Sequence, residues 1–533
     1  MLTVIAQIDE AFGLSSFITD LQADPIGALA EKMPATLPPA GSVLVWSVAA
    51  IFLLALLEQA KHQVGRISKD GVLPGPSATV PFLGSIVDMV RDPHAFWERQ
   101  RAYAFPGLSW NSIVTKFTVM VTDPATIRHV FSHNSKDTLL LDLHPNAKMI
   151  LGTRNIAFMH GPEHKALRRS FLALFTRRAL SMYLRQQDTI IRQHLAEWLK
   201  AAPKGSPTEM RQLVWAMNAE TSRNVFCGPY FDDPSVRAEF ALRYRAMTDG
   251  FLTFPLKFPG TAVWRAMKGR HYVIQVLADC ARRSKAAMRG GKEPGCLLDF
   301  WAQQINTECD EADAAGAPRP RYSSDTEMAY TVMDFLFASQ DASTASLCWM
   351  LALMAEHPEV LGRVREEQLA VRQDLGATLT GEALADMPYT RQASGRVVKE
   401  VLRYRPPAPM VPQVAMRPFK LTESYTAPKG AFIIPDIVSA CHQGFTKAKE
   451  FDPDRFGPER KEDVAHASNF LVFGHGPHYC VGKEYAINHL MAFLAITATA
   501  ADWQRTRTPD SDKIKYLPTI YPADTIFQFT ART

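Results

Sequence analysis

The chain has 533 residues, 47% of them hydrophobic and 21% charged, which excludes a disordered or fibrous protein. A formal charge of +5 is spread along the chain without a concentrated basic run, so no nucleic acid is expected as a partner, while an acidic protein partner fits. The seven cysteines are odd in number, widely spaced and free of any Cys-x-x-Cys pair; this excludes a disulfide framework or zinc site and points to a reducing compartment.

Residues 1–39 are polar and acidic, with Asp9, Glu10, Asp20, Asp24 and Glu31 against Lys32. Ala40 to Leu57 then runs without a charge and is followed by Lys61, His62, Arg66 and Lys69. As a helix this stretch reaches about 27 Å, close to the ~30 Å hydrocarbon core. It is read as a single transmembrane anchor whose basic side faces the cytosol, with residues 1–39 lumenal. A buried core helix is the alternative; a cleaved signal peptide lacks a basic n-region here. Residues 58–84 are basic and proline-rich, with Leu73-Pro-Gly-Pro76 and Pro81-Phe-Leu-Gly84 as a stiff hinge. Residues 85–533 are expected to form one large domain.

Within that domain His164 and Arg168 lie four apart on one helix face, able to meet an anion together or to form a solvated basic face. Phe251-Leu-Thr-Phe-Pro-Leu-Lys-Phe258 suits an apolar guest, a bilayer surface or the core. The polar stretch Asn306–Asp325 reads as a surface loop. A long helix follows from about Asp325 to Ala355, apolar all round except for Ser339, Gln340, Asp341, Ser343 and Thr344 at its middle. Buried polar groups of that kind are costly without partners, which points to a functional use. Glu359–Gln373 reads as a charged amphipathic helix, and Arg396–Tyr404 as a helix carrying Glu400 and Arg403 on one face.

The stretch Phe473-Gly-His-Gly476-Pro-His478-Tyr-Cys480-Val-Gly482 presents one cysteine between glycines, just before a helical pattern. Glycines permit a tight loop, and a helix N-terminus favours sulfur as an anion, an arrangement suited to an iron thiolate. A buried structural cysteine is the alternative.

The spacing Phe-x-x-Gly-x-x-x-Cys-x-Gly resembles the haem loop of the cytochrome P-450 superfamily, and the other motifs stand in that family's order from about residue 74 to the C-terminus. The resemblance implies a mainly α fold with small β-sheets, and haem b held through Cys480 with Phe473, Gly476, His478 and Gly482 around it. It also implies haem-propionate contacts from His164 and Arg168, and an ion triad of Glu400, Arg403 and Arg455. In the central helix Asp341 matches the family's acid, but Ser339 replaces Gly and Ala342 stands where Thr belongs, with a hydroxyl one residue later at Ser343. Asp341, Ser343 and Gln340 are the expected proton relay. Phe335–Ser343, the Cys480 loop with His478 in place of Arg, and the tail Asp512–Asp524 look like the sterol C-22 desaturases. That branch implies a C-22 double bond introduced with O2 and electrons from NADPH through a P-450 reductase, at the endoplasmic reticulum membrane with a cytosolic catalytic domain. A sterol 14α-demethylase, another lipid hydroxylase and a haem-binding sensor remain as alternatives.

Overall fold

A computed structural model describes residues 40–104, 107–201, 206–387, 389, 396–516 and 519–532. The chain divides into two units, residues 1–61 and 62–533. Segment 1–39 lies outside the described residues. The apolar run forms helix α1, Ala40–Gly65, which continues past Leu57 because Glu58-Gln-Ala-Lys-His is built of good helix formers. Val43–Gly65 is long and apolar enough to cross a membrane.

Strands β1 (Leu108–Ile113) and β2 (Lys116–Val121) form a hairpin. Its two loop residues, Val114 and Thr115, both have positive φ (45° and 61°), as the twist of a two-residue connection demands. The proline-rich stretch lies along β1. The Trp110 N–H donates to the Pro74 carbonyl at 2.9 Å. Gly84, at φ +61°, has room for no side chain because a Cβ would stand 2.1 Å from the Ser112 carbonyl oxygen. With β3 (Leu139–Leu141), β4 (Gln413–Ala415) and β5 (Phe432–Pro435) the hairpin makes a five-stranded sheet of order β1-β2-β5-β4-β3, in which β5 runs parallel to β2.

Helices dominate the rest. They are α2 (Gly161–Ser170), α3 (Arg177–Ala201), α4 (Arg211–Cys227), α5 (Pro234–Asp249), α6 (Ala262–Arg289) and α7 (Leu297–Ala314). After these come α8 (Asp325–Glu356), α9 (Pro358–Val371), α10 (Arg396–Tyr404) and α11 (Lys483–Ala500). Strands β6 (Ala501–Arg505), β7 (Ile514–Tyr516), β8 (Ile520–Pro522) and β9 (Ile526–Ala531) close the chain; β6 pairs with β9, which also pairs with Thr208–Glu209, while β7 pairs with β8.

The surface loop expected over Asn306–Asp325 is corrected: α7 extends to Ala314 and only the residues after it form the turn. Trp301, Ala302, Ile305, Asn306 and Cys309 are buried at helical spacing, and the acids Glu308, Asp310, Glu311 and Asp313 occupy the outer face. Their density masked the period beneath them.

Helix α8 starts at an N-cap, Ser324 accepting from the Glu327 N–H at 3.3 Å, and stops where Pro358 denies His357 a helical conformation. Its two halves lie in different cores. Met328–Leu336 packs with α6 and α7, whereas Ala345–Met354 packs with α10 and α11. The polar middle, Ser339–Thr344, falls at the seam.

Candidate active site

The cysteine loop is closed on itself by the Cys480 N–H, which donates to the Phe473 carbonyl at 2.9 Å, so the two ends of the motif spacing meet. Gly474 and Gly476 have φ of +73° and +71°, and a Cβ on Gly476 would lie 2.7 Å from the Phe131 carbonyl oxygen. Gly482 is different: it is the N-cap of α11 at φ −88°, with open space where a side chain would go. Cys480 is exposed, and among the described residues the other six cysteines are buried. Protein atoms nonetheless enclose the thiol on its loop side. That enclosure pushes the thiol up from its ordinary pKa, against the Gly482 backbone N–H and the charges of Arg168 and Lys483. The helix N-terminus alone does not make a thiolate here; a metal at sulfur would.

Three histidines gather beside this loop. His478 stacks on His164 with ring centroids 4.3 Å apart, and His160 meets His478 edge-on at 5.1 Å. Burial, then the neighbouring Arg168 and His160, holds His164 down at about 4; burial and the facing His164, His160 and Arg168 hold His478 at about 3. The rings are therefore neutral near pH 7. His164 Nε2 and both ring nitrogens of His160 are buried without a hydrogen-bond partner. His160 was not singled out from the sequence, although it precedes His164 by four residues, as His164 precedes Arg168. A cleft of about 610 Å³ adjoins the loop, lined by Arg128, Lys399, Phe473, His475, Tyr479 and Lys483 among others.

At the α8 seam the polar groups have partners. Asn218 of α4 donates to the carbonyls of Ser339 (3.1 Å) and Gln340 (2.8 Å) and to Thr344 Oγ1 (3.1 Å). Gln340 Nε2 donates to the Trp215 carbonyl at 3.0 Å, and the Ser339 and Ser222 hydroxyls meet at 2.9 Å. Gln340, expected in the relay, thus ties α8 to α4. Asp341 takes the other side: its carbonyl accepts from the Tyr521 hydroxyl of β8 at 3.2 Å. Burial raises the Asp341 carboxyl pKa above the usual range, opposed by a hydrogen bond from Tyr521. Tyr244 of α5 lies near enough to feel that carboxyl, and its hydroxyl is buried without a partner. Ser343 is buried in the same turn.

Glu400, Arg403 and Arg455 are fully buried together. Arg403 grips Glu400 through Nε (2.7 Å) and Nη2 (2.8 Å), while Arg455 Nε lies 3.0 Å from Oε1. The sequence did not reveal Glu462, which faces Arg455 Nη1 at 3.2 Å and balances the second guanidinium. The remaining donors reach main-chain carbonyls, Arg403 Nη1 that of Ala448 at 2.9 Å and Arg455 Nη2 that of Glu450 at 3.1 Å.

A sequence model of the family described as Cytochrome P450 matches residues 73–514. The chain belongs to this family. It is similar to the protein called cytochrome P450 710A4 of Arabidopsis thaliana, 40% identical with 91% of this chain and 95% of that one covered. It is also similar to a protein named C-22 sterol desaturase erg5 of Aspergillus fumigatus, 35% identical with 89% and 92% covered. Among solved structures, a retinoic acid-bound cyanobacterial CYP120A1 aligns with a TM-score of 0.72 at 20% identity, over 86% of this chain and 99% of that one, which supports the fold.

The family implies haem held by a cysteine, and the residues of this P450 fit it. Cys480 offers an accessible sulfur on a loop whose glycine backbone cannot tolerate side chains at Gly476. Beside it lie one guanidinium, Arg168, and unpaired imidazole nitrogens of His164 and His160, a donor set for the carboxylates that haem b carries. Phe473 packs against the α8–α11 core and anchors the loop.

Proposed function

We propose that this P450 is a sterol C-22 desaturase, removing one hydrogen each from C-22 and C-23 of a sterol side chain. The observation that carries the reading is the likeness, over nearly the whole chain, to a protein named for that reaction. The α8 segment supports it, because Ala342 stands where hydroxylases of the family carry Thr. Haem bound through Cys480 supplies the oxygen-activating chemistry, with electrons from NADPH through a reductase. In balance, the sterol loses two hydrogens, O2 accepts them with two electrons and two protons, and two waters leave.

The chain's own residues have separate tasks. Arg168, His164 and His478, with His160 beside them, would hold the carboxylates of the haem. Asp341, raised by burial, and Ser343 hold a proton within the seam, and Asn218 and Gln340 keep α8 in register with α4 while they do so. Ala342 gives the side chain of the sterol a small neighbour. In the cleft Lys399 is paired with Asp463 at 2.8 Å, and Arg128 and Lys483 remain to suit the acidic face of a reductase.

A sterol carrying deuterium at C-22 and C-23 tests the reaction with purified reductase. Wild-type enzyme is expected to release one deuterium from each carbon. An oxygenated product that keeps both C-23 deuteriums would identify a hydroxylase instead. Ala342→Thr is expected to shift product from the 22-ene towards 22- or 23-hydroxysterol, since a misplacement of about 1 Å can change rates ~100-fold. Asp341→Asn should slow both products alike.

The reading includes a membrane setting. Phe254 (77% exposed) and Phe258 (64%) stand out on the α5–α6 connection, whereas Phe251 is buried and stacks on Phe337 at 4.7 Å. Core packing therefore explains Phe251 but not the other two, which suit a lipid surface. With basic residues after α1, the catalytic unit should face the cytosol from the endoplasmic reticulum. Protease added to intact microsomes is expected to digest it; protection would reverse the orientation.

A further inference from the structure

Between α3, α4 and the turn after α4 lies a surface cleft of about 490 Å³ that shares no lining residue with the haem loop. Its lining includes Arg185, Arg223 and Arg237, with Gln186, Gln193 and Asn224 beside them. Among the residues lining it, Asp232 is the one carboxylate, and Arg283 already approaches it at 3.4 Å. Arg185 is exposed and takes part in no ion pair among the described residues. Arg237 spends Nε and Nη2 on the carbonyls of Phe231 (2.7 Å) and Asp232 (2.9 Å), which leaves Nη1 for another acceptor. Arg223 comes no closer than 3.9 Å to Glu220, whose other oxygen is held by His194 at 3.0 Å. Burial, opposed by Glu220 and reinforced by Arg237, keeps Arg223 below its ordinary pKa.

Arg223 and Arg237 lie close enough to repel each other and share Glu220, while Arg185 is in no ion pair among the described residues and Arg237 keeps Nη1 open. An external anion would supply the missing charge. Guanidinium forks match phosphate oxygens two at a time, which a point cation does not do. The volume lies within the roughly 300–1,000 Å³ of small-molecule sites. With Glu220 counted beside Asp232 the three cations exceed the carboxylates by one, and Arg185 together with Nη1 of Arg237 offers two separate donor groups for two adjoining phosphates.

We propose that this cleft binds a small diphosphate-bearing anion, recognised by Arg185, Arg223 and Arg237. The diphosphate can belong to free pyrophosphate, to a nucleotide, or to an isoprenoid with an apolar tail that Ile190 and Phe231, also in the lining, would receive.

The haem-loaded full chain, titrated by calorimetry at constant ionic strength with inorganic pyrophosphate, ADP and geranyl diphosphate, tests this. Saturable binding at one site per chain is expected, with the tightest of the three identifying what the diphosphate is attached to. Arg223→Gln and Arg237→Gln should each weaken it roughly tenfold or more. Arg185→Gln should weaken it as well, and being exposed and unpaired it leaves folding and the haem spectrum as they are even where the half-buried Arg223→Gln misfolds. Absence of saturable binding for all three probes, or equal affinity in wild type and Arg185→Gln, would show a merely solvated basic face and overturn the proposal.

Discussion

Arg455→Ala is expected to cost roughly 3–5 kcal/mol of stability, because it leaves the buried Glu400 and Glu462 short of a partner. A domain has on the order of 5–15 kcal/mol in all. The variant should therefore express largely as aggregate without haem, and any soluble fraction should unfold at a markedly lower urea concentration. Glu400 shows why: it accepts from both guanidiniums and from the Asp452 N–H at 3.0 Å, so it organises α10, the turn at Pro453–Phe456 and the strand of chain leading to the cysteine loop. Arg455→Lys should rescue little, since one ammonium cannot reach Glu400, Glu462 and the Glu450 carbonyl together. A normal midpoint for Arg455→Ala would mean that the network does not hold this region. Acid probes the same network. Burial raises Glu462, but hydrogen bonds from Thr446 and Arg460 outweigh it and hold the carboxyl at about 2, below its ordinary 4.5. A folded-state pKa depressed in this way gives stability that is full above pH 4.5 and is lost as pH falls through 2. In Glu462→Gln that part of the acid limb should vanish from the urea midpoints.

What could be seen without coordinates was of one kind. The Cys480 loop, the Glu400–Arg403 pair and the limits of α8 and α10 are written along the chain: glycines that permit a tight loop, a pair at i and i+3, an apolar run with polar residues at its middle. Such signals depend on neighbours along the chain. The partners that complete the site do not. Asn218 meets the Gln340 carbonyl from 122 positions away, and Tyr521 meets that of Asp341 from 180. Nothing local to Asn218 distinguishes it from a solvent-facing amide, so the coupling of α4 to the polar middle of α8 became legible only in three dimensions. Gln340 is the instructive case. A buried amide needs a partner, and for Gln340 Nε2 that partner is the Trp215 carbonyl, so helix packing meets the cost. Helix α7 failed for the opposite reason: its period was present in Trp301, Ile305 and Cys309, and four acids on the outer face drew attention to the wrong side.

Cys480→Ala is expected to abolish both the thiolate band of the reduced carbon monoxide spectrum and sterol turnover, while leaving the protein folded. The two halves of that expectation come from different atoms. Cys480 is solvent-accessible, whereas Cys348 is fully buried in the α8 core. What the loop requires of this residue is its backbone N–H, bonded to Phe473 at 2.9 Å, and alanine keeps it. The left-handed turns at Gly474 and Gly476 and the cap of α11 are also untouched. Loss of the ligand should therefore appear as loss of haem affinity, read by haem retention on gel filtration, with an unchanged far-ultraviolet spectrum. Gly476→Ala makes the converse change. Its Cβ would meet the Phe131 carbonyl oxygen at 2.7 Å in a backbone conformation that disfavours any side chain, so this variant should lose the loop along with the haem. A Cys480→Ala protein that kept the thiolate band would move the iron ligand elsewhere. One that shifted to an imidazole-type band would point to His475 or His478, the two rings on the same loop, as a substitute that the cysteine normally excludes.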